Sequence, residues 1–166
     1  MDLILVRHAI AADRDLLRWL DDSQRPLTSD GVKRFERAAV GLRRVQGSVD
    51  LLLSSPFVRA WQTAQILHEI AGWPAPIPCP ELEPMNDVHL VIDHCNRQEA
   101  KVVALVSHEP LLGDLAAALL AGESAPPQPM KKGGAVGFSS DQGVIAGGMT
   151  LRWWLTPKVL RMLALP

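Results

Sequence analysis

Residues 3–9, LILVRHA, place four apolar residues directly before a cation and an imidazole. A short apolar run of this kind is typical of a buried strand in an α/β sheet. The same arrangement recurs where residues 101–106, KVVALV, run into a serine and His108. Because open α/β sheets bind ligands at the carboxyl ends of their strands, Arg7, His8 and His108 are predicted to share one site.

The length and composition of the chain are those of a globular protein. Its 166 residues are 48% hydrophobic and 21% charged, which suits one domain with a substantial core. The formal net charge of −1 argues against a broad nucleic-acid-binding face, so that any electropositive site must be local. Cys79 and Cys95 have the spacing of neither a disulfide framework nor a metal site. With no signal peptide and no membrane span, we expect a soluble, cytoplasmic, monomeric protein.

Apolar periodicity and turn residues predict strands that alternate with helices for most of the chain. The predicted strands span residues 3–6, 50–54, 102–106, 135–139 and 149–155. The predicted helices span residues 28–47, 55–72, 88–96, 111–120 and 158–163.

The order of these elements predicts the fold class. We expect an α/β three-layer sandwich over residues 1–166, in which a mostly parallel central sheet has helices on both faces. The closing hairpin is expected to add an antiparallel edge strand. Residues 12–25 are predicted to be irregular, with one short helix around Leu16, Leu17 and Leu20.

Four side chains at strand ends or at the following helix start are candidates for chemistry. Arg7 and His8 end the first strand, Arg59 lies in the first turn after the second, and His108 ends the third. Two guanidinium forks and a protonated imidazole would neutralise a phosphoryl group. The other histidine, if neutral, can attack phosphorus. Ser55, predicted to cap the helix that carries Arg59, would add free backbone amides.

Each candidate also has a structural interpretation. Arg59 can be a solvated partner of Asp50, and His108 can cap a helix. The matched placement of all four side chains favours the functional interpretation. A zinc site made of His8 and His108 is disfavoured because Arg7 and Arg59 would repel a dication. Structural or surface roles are assigned to three histidines in helical stretches: His68, His89 and His94.

Four segments resemble the motifs of the histidine phosphatase superfamily, which includes phosphoglycerate mutase. RHA at residues 7–9 resembles the Arg-His-Gly/Ala signature, and PLTSDG at residues 26–31 resembles the Leu-Thr-x-x-Gly helix start. SSPFVRAWQTA at residues 54–64 matches the Ser-Ser-Pro-x-x-Arg-Ala-x-Gln-Thr-Ala block almost completely, and SH at residues 107–108 matches the second-histidine motif.

Three further segments are similar to the small bacterial phosphohistidine phosphatases of the SixA type. These are RPLT at residues 25–28, PELEP at residues 80–84 and SHEP at residues 107–110. The resemblance implies an enzyme that removes phosphate from a histidine of a phosphocarrier or signalling protein. It implies neither a metal nor a cofactor, and we expect no nucleic-acid or membrane partner.

The resemblance also implies roles for individual residues. His8 is implied as the nucleophile that becomes phosphorylated, with Arg7, Arg59 and His108 forming the phosphate pocket as catalytic and substrate-binding groups. Ser55 is expected to contribute to substrate binding.

Pro84 marks a departure from the wider superfamily, many members of which place a general-acid glutamate at this position. Glu81, Glu83 and Asp87 lie nearby in the sequence, but none matches the acid cleanly. An alkoxide is a poor leaving group that benefits from a proton donor, whereas imidazole accepts a proton near neutral pH. A phosphohistidine substrate therefore tolerates the missing acid.

Two alternatives remain open at this point. One is a phosphomonoesterase for a small phosphate ester that uses one of these carboxylates as acid. The other is a non-catalytic module that binds phosphorylated ligands, against which His8 argues because anion binding alone needs no neutral imidazole. Whether Lys131 and Lys132 recruit an acidic partner also stays open.

Overall fold

The first apolar run forms β1 (Asp2–Arg7) inside a six-stranded sheet, in a computed structural model that describes residues 1–15, 17–122 and 124–165. Its side chains alternate between the two faces, with Leu3 and Leu5 in one core and Ile4 and Val6 in the other. A strand that is apolar on both faces needs cover on both, which a three-layer arrangement provides.

The sheet is mostly parallel, as predicted. The other strands are β2 (Leu51–Ser54), β3 (Ile77–Pro78), β4 (Val102–Ser107), β5 (Ala135–Ser139) and β6 (Thr150–Leu155). The strand order is β3-β2-β4-β1-β5-β6, in which the first four strands pair in parallel and β5 pairs antiparallel with both of its neighbours. The closing hairpin therefore puts β6 at the edge and the antiparallel strand β5 one position inward.

Helices cover both faces of the sheet. One face packs against α1, α2 and α5, and the other packs against α3 and α4. No helix among the described residues is long and apolar enough to cross a membrane. The helices are α1 (Ser29–Val45), α2 (Val58–Ile66), α3 (Val88–Asn96), α4 (Leu111–Ala121) and α5 (Pro157–Leu163).

The start of α2 corrects the prediction that Ser55 caps this helix. Phe57 occupies the N-cap position without a side-chain hydrogen bond, and the helix begins at Val58. The Ser55 hydroxyl accepts a 3.3 Å hydrogen bond from the Phe57 amide, so that it stabilises the turn ahead of the helix. The far end of α2 continues into a π-helical turn that closes at Gly72, whose φ is 71°.

The segment between β1 and α1 also differs from its prediction. Leu16 lies outside the described residues, while Leu17 and Leu20 are exposed and lie outside any helix. A short 3-10 helix forms instead at Asp22–Gln24. This turn brings the Asp22 carboxylate to the guanidinium of Arg59.

Candidate active site

The four side chains singled out in the sequence converge on one cleft of about 660 Å³. Arg7 is paired with the last residue of the neighbouring parallel strand β4, so the histidines that follow the two strands emerge side by side. The ring centroids of His8 and His108 lie 5.0 Å apart. Arg59 reaches the same cleft from the first turn of α2.

His8 is a buried, neutral imidazole. Its Nδ1 lies 2.7 Å from the carbonyl oxygen of Ala9, and because a carbonyl only accepts, Nδ1 carries the hydrogen. Burial lowers the pKa of His8 to about 3 against the opposing effect of the hydrogen bond to the backbone of Ala9, and the charges of Arg59 and Arg7 act in the same direction as burial. The Nε2 lone pair is therefore available as a nucleophile at neutral pH.

Arg59 is held in a fixed orientation by Asp22. One guanidinium nitrogen donates to the Asp22 carbonyl oxygen at 2.8 Å, and the other lies 3.1 Å from a carboxylate oxygen of the same residue. Burial lowers the pKa of Arg59 to about 10, against the opposing effect of the Asp22 charge, so the group stays cationic. Asp22 gave no signal in the sequence because it belongs to no strand end.

Arg7 is positioned by the backbone of a distant segment. It donates through Nη1 to the carbonyl oxygen of Met130, while the amide of Met130 donates to Glu109 at 2.8 Å. Burial raises the pKa of Glu109. Glu109 lines the cleft, and it gave no signal in the sequence because it occupies the variable position of the Ser-His-x-Pro segment.

His108 is a buried imidazole that is neutral in the free protein. Burial, with smaller contributions from nearby His8 and Arg59, lowers its pKa to about 2. Its Nε2 lies 2.9 Å from the hydroxyl of Ser55, and its ring meets Phe57 edge-on at 5.2 Å. Ser55 is fully buried behind this imidazole, so it contacts His108 and is placed to act through it.

Thr63 links the residue that follows His8 to the helix turn that carries Arg59. Its hydroxyl accepts a 3.1 Å hydrogen bond from the amide of Ala9 and donates a 2.7 Å bond to the carbonyl oxygen of Arg59. The threonine is fully buried. The residue after His8 and the first turn of α2 are therefore joined through one side chain, which fixes the separation of the nucleophile and the guanidinium.

The three carboxylates considered as general acids are placed differently. Glu83 lines the cleft beside Pro84. Asp87 caps α3 by accepting a 2.9 Å hydrogen bond from the amide of His89. Glu81 contacts His94 and Cys79 instead. Within the described residues, the glutamates that line the cleft are therefore Glu83 and Glu109.

The remaining sequence candidates lie around the cleft or away from it. Lys132 lines the cleft, and its charge contributes to the low pKa of His8, whereas Lys131 does not belong to the lining. His68 lies 2.7 Å from the carbonyl oxygen of Trp73, a structural contact.

Comparisons with known proteins agree with these motifs. Residues 3–90 match the model of the histidine phosphatase superfamily (branch 1). The chain is 31% identical to phosphohistidine phosphatase SixA of Escherichia coli (strain K12) over 98% of both chains. It is 35% identical to an uncharacterized protein of Picosynechococcus over 84% of this chain and 86% of the other. The structure of protein histidine phosphatase SixA complexed with tungstate matches with a TM-score of 0.79 and 30% identity, over 96% of this chain and 99% of that one.

Proposed function

The chain belongs to the histidine phosphatase superfamily, and we propose that it is a phosphohistidine phosphatase acting on a histidine of a phosphocarrier or signalling protein. The observation that carries the chemistry is the neutral His8, whose Nδ1 is bound to a carbonyl oxygen while two guanidinium groups flank the ring. We also propose that the protein is a cytoplasmic monomer and that residues 1–166 form one domain.

In the first step, Nε2 of His8 attacks the phosphorus of the substrate in line. The new N–P bond forms as the N–P bond to the substrate imidazole breaks, and the departing imidazole takes a proton from solvent. Arg7 and Arg59 hold the equatorial oxygens throughout, since their planar forks match phosphoryl geometry. The approaching phosphoryl group favours protonation of His108, because a nearby anion raises the pKa of an imidazole.

In the second step, water attacks the phosphorus of phosphorylated His8. The N–P bond breaks, inorganic phosphate leaves, and His8 returns to its neutral form with Nδ1–H still donated to Ala9. The fixed guanidinium groups serve both steps, because the charge on the equatorial oxygens is similar in each.

The choice of phosphohistidine as substrate rests on two observations. The similarity to SixA extends over nearly the whole of both chains. In addition, Pro84 lies in the cleft wall at the position where many members of the superfamily place their acid. An imidazole leaving group needs no dedicated donor near neutral pH, so this cleft suits a phosphoramidate better than an alkyl ester.

A second candidate function is hydrolysis of a small phosphate ester, and Glu109 is the specific observation that favours it. Its carboxyl group lines the cleft and its pKa is raised by burial, which is the direction that a general acid needs. Its hydrogen bond from the amide of Met130 opposes that role, because it stabilises the ionised carboxylate.

The two functions are separated by comparing turnover of a histidine-phosphorylated carrier protein with that of a panel of small phosphate esters. If the protein is a phosphohistidine phosphatase, kcat/KM for the phosphoprotein should exceed kcat/KM for every alkyl ester by orders of magnitude. Rapid acid-free trapping should show acid-labile phosphate on His8 with either substrate. Efficient ester hydrolysis with an inert phosphoprotein would favour the second candidate, and absence of phosphoenzyme would exclude His8 as nucleophile.

A further inference from the structure

A second cluster of reactive side chains lies outside the cleft and is not used by the proposed reaction. Cys79, Glu81 and His94 place one sulfur, one oxygen and one nitrogen donor atom all within 4.8 Å of one another. The Cys79 thiol donates to Glu81 Oε2 at 3.3 Å, and His94 Nδ1 lies 3.1 Å from Glu81 Oε1. Glu81 is therefore between a thiol and an imidazole.

The fold brings these three residues together from two elements. Cys79 directly follows β3, and a 3-10 turn at Pro80–Leu82 carries Glu81 back over the sulfur. His94 comes from the last turn of α3. The residue Cys79 is only 2% exposed, whereas the side chains of Glu81 and His94 are 29% and 23% exposed. The cluster thus has a buried sulfur at its base and an opening to solvent.

We propose that Cys79, Glu81 and His94 bind a thiophilic divalent cation of the Zn²⁺ class. Thiolate, carboxylate and imidazole are the ligands that zinc takes in proteins, commonly with water in a fourth position. Ordinary zinc–ligand bonds in a tetrahedron separate sulfur from oxygen by about 3.5 Å and nitrogen from oxygen by about 3.3 Å. In this cluster the sulfur lies 3.3 Å from Oε2 of Glu81, and His94 Nδ1 lies 3.1 Å from Oε1 of the same carboxylate. Because one donor atom from each residue lies within 4.8 Å of the other two, a turn of the carboxylate and small shifts of the side chains would bring the three donors to one ion.

When the metal binds, it displaces the hydrogens from the sulfur and nitrogen atoms that become its ligands. The Cys79 thiol loses the proton that it donates to Glu81, and His94 frees Nδ1 by carrying its hydrogen on Nε2. Because only the thiolate binds the metal, zinc binding should release the thiol proton to solvent. The bound metal would join the 3-10 turn after Cys79 to α3, and residues 83–86, which follow that turn, line the cleft.

Metal binding is tested on the full chain after treatment with a chelator. Zn²⁺ is titrated in competition with a chromophoric chelator, and Co²⁺ is used to detect the thiolate charge-transfer absorption. The wild type should bind one Zn²⁺ per chain, and Cys79→Ser and His94→Gln should each weaken binding at least about tenfold. The Cys79→Ser variant should also lose the cobalt–thiolate band.

Matched controls separate this site from other metal-binding groups. Cys95→Ser removes the other buried thiol, and His89→Gln removes an exposed histidine of the same helix. Both should bind Zn²⁺ as the wild type does. His8→Ala should bind it equally, because the cluster lies outside the cleft. Binding that disappears in His8→Ala but persists in Cys79→Ser would place the ion in the cleft and overturn the proposal.

Thermal unfolding distinguishes a variant that has lost the metal site from one that folds poorly. Zn²⁺ should raise the Tm of the wild type, because a ligand that binds the folded state stabilises it. His94→Gln, which changes a partly exposed side chain, should have a normal Tm without metal and no Zn²⁺-dependent rise. An equal rise in both proteins, or no Zn²⁺ binding by the wild type, would exclude the site.

Discussion

At the scale of single residues, the nucleophilic role proposed for His8 rests on the hydrogen bond that occupies Nδ1 and on the burial that keeps the ring neutral. We expect His8→Ala to lower turnover by several orders of magnitude while vanadate still binds to the guanidinium groups. Steady-state hydrolysis and vanadate titration would check both. His89→Gln serves as the control. Activity above about a tenth of wild type, which is under ~1.4 kcal/mol, would contradict the nucleophile assignment.

The same burial makes the stability of the protein depend on pH. The folded-state pKa values of His8 and His108 are about 3 and about 2, below the ordinary 6.5. Between pH 6.5 and 3 the unfolded chain therefore binds protons that the folded chain does not, and acidification lowers the free energy of unfolding.

We expect the wild type to lose roughly 1–2 kcal/mol more stability than His8→Ala between pH 7 and pH 5, because the variant lacks one of these histidines. Urea unfolding of both proteins at the two pH values measures the difference. Equal losses would show that His8 titrates normally in the folded protein.

We expect the contribution of Arg59 to turnover to depend on the planar shape of its guanidinium as well as on its charge. The guanidinium contacts both the carbonyl and the carboxylate of Asp22, and lysine cannot make these contacts while holding two phosphate oxygens. Arg59→Lys should therefore lower kcat/KM about 10²-fold. Turnover and Tm are measured together, with the exposed Arg34→Lys as control. Near-normal turnover would mean that Arg59 supplies charge alone.

The sequence predicted the placement of the four main side chains because strand ends and helix starts follow from local patterns. It did not predict Asp22 or Glu109 at the site, since their contacts join segments that are distant along the chain. Nor did it predict the low pKa of His108 in the free protein. Its pKa depends on burial among other cations, which no single motif reveals.

At the scale of elements, the contact between α1 and α5 depends on a glycine. A Cβ atom at Gly41 would lie 1.8 Å from the carbonyl oxygen of Leu160, so that one of the two helix backbones would have to move. We expect Gly41→Ala to destabilise the protein by about 1–3 kcal/mol despite the better helix propensity of alanine. Gly47→Ala, where a Cβ meets nothing within 4 Å, is the control in urea unfolding. Equal stability of both variants would contradict this packing.

Most element bounds were predictable because capping and periodicity are local properties. Thr28 caps α1 and Asp87 caps α3, so both helices begin within one residue of their predicted starts. The predicted start of α2 was wrong because the Ser55 hydroxyl bonds to the Phe57 amide in a turn and contacts His108, and does not cap a helix amide. The two-residue strand β3 lies in a proline-rich segment, and its pairing with β2 depends on tertiary contacts that the sequence pattern does not carry.

At the scale of the whole molecule, a sheet covered on both faces leaves its strand ends as the place for a ligand. The cleft at these ends is bordered by Met85, which is 87% exposed. Its wall contains Pro84 together with Glu83 and Glu109. The molecule therefore offers an open site whose wall contains two glutamate carboxyl groups, with proline at position 84.

This arrangement predicts how rate depends on the leaving group. If phosphohistidine is the substrate, its imidazole leaves without a dedicated donor, and Glu81→Gln, Glu83→Gln, Asp87→Asn and Glu109→Gln should each retain most of the activity. Hydrolysis of alkyl phosphates should be slow in the wild type, and hydrolysis of aryl phosphates should become faster as the pKa of the leaving alcohol or phenol falls.

A series of aryl and alkyl phosphates, measured where the chemical step limits the rate, gives this dependence directly. A steep dependence in the wild type that is unchanged by Glu109→Gln would mean that no carboxyl group donates a proton. A flat dependence that becomes steep in Glu109→Gln or Glu83→Gln would identify that residue as a general acid, because a donor removes the need for a stable leaving anion. That result would assign the cleft to a small phosphate ester.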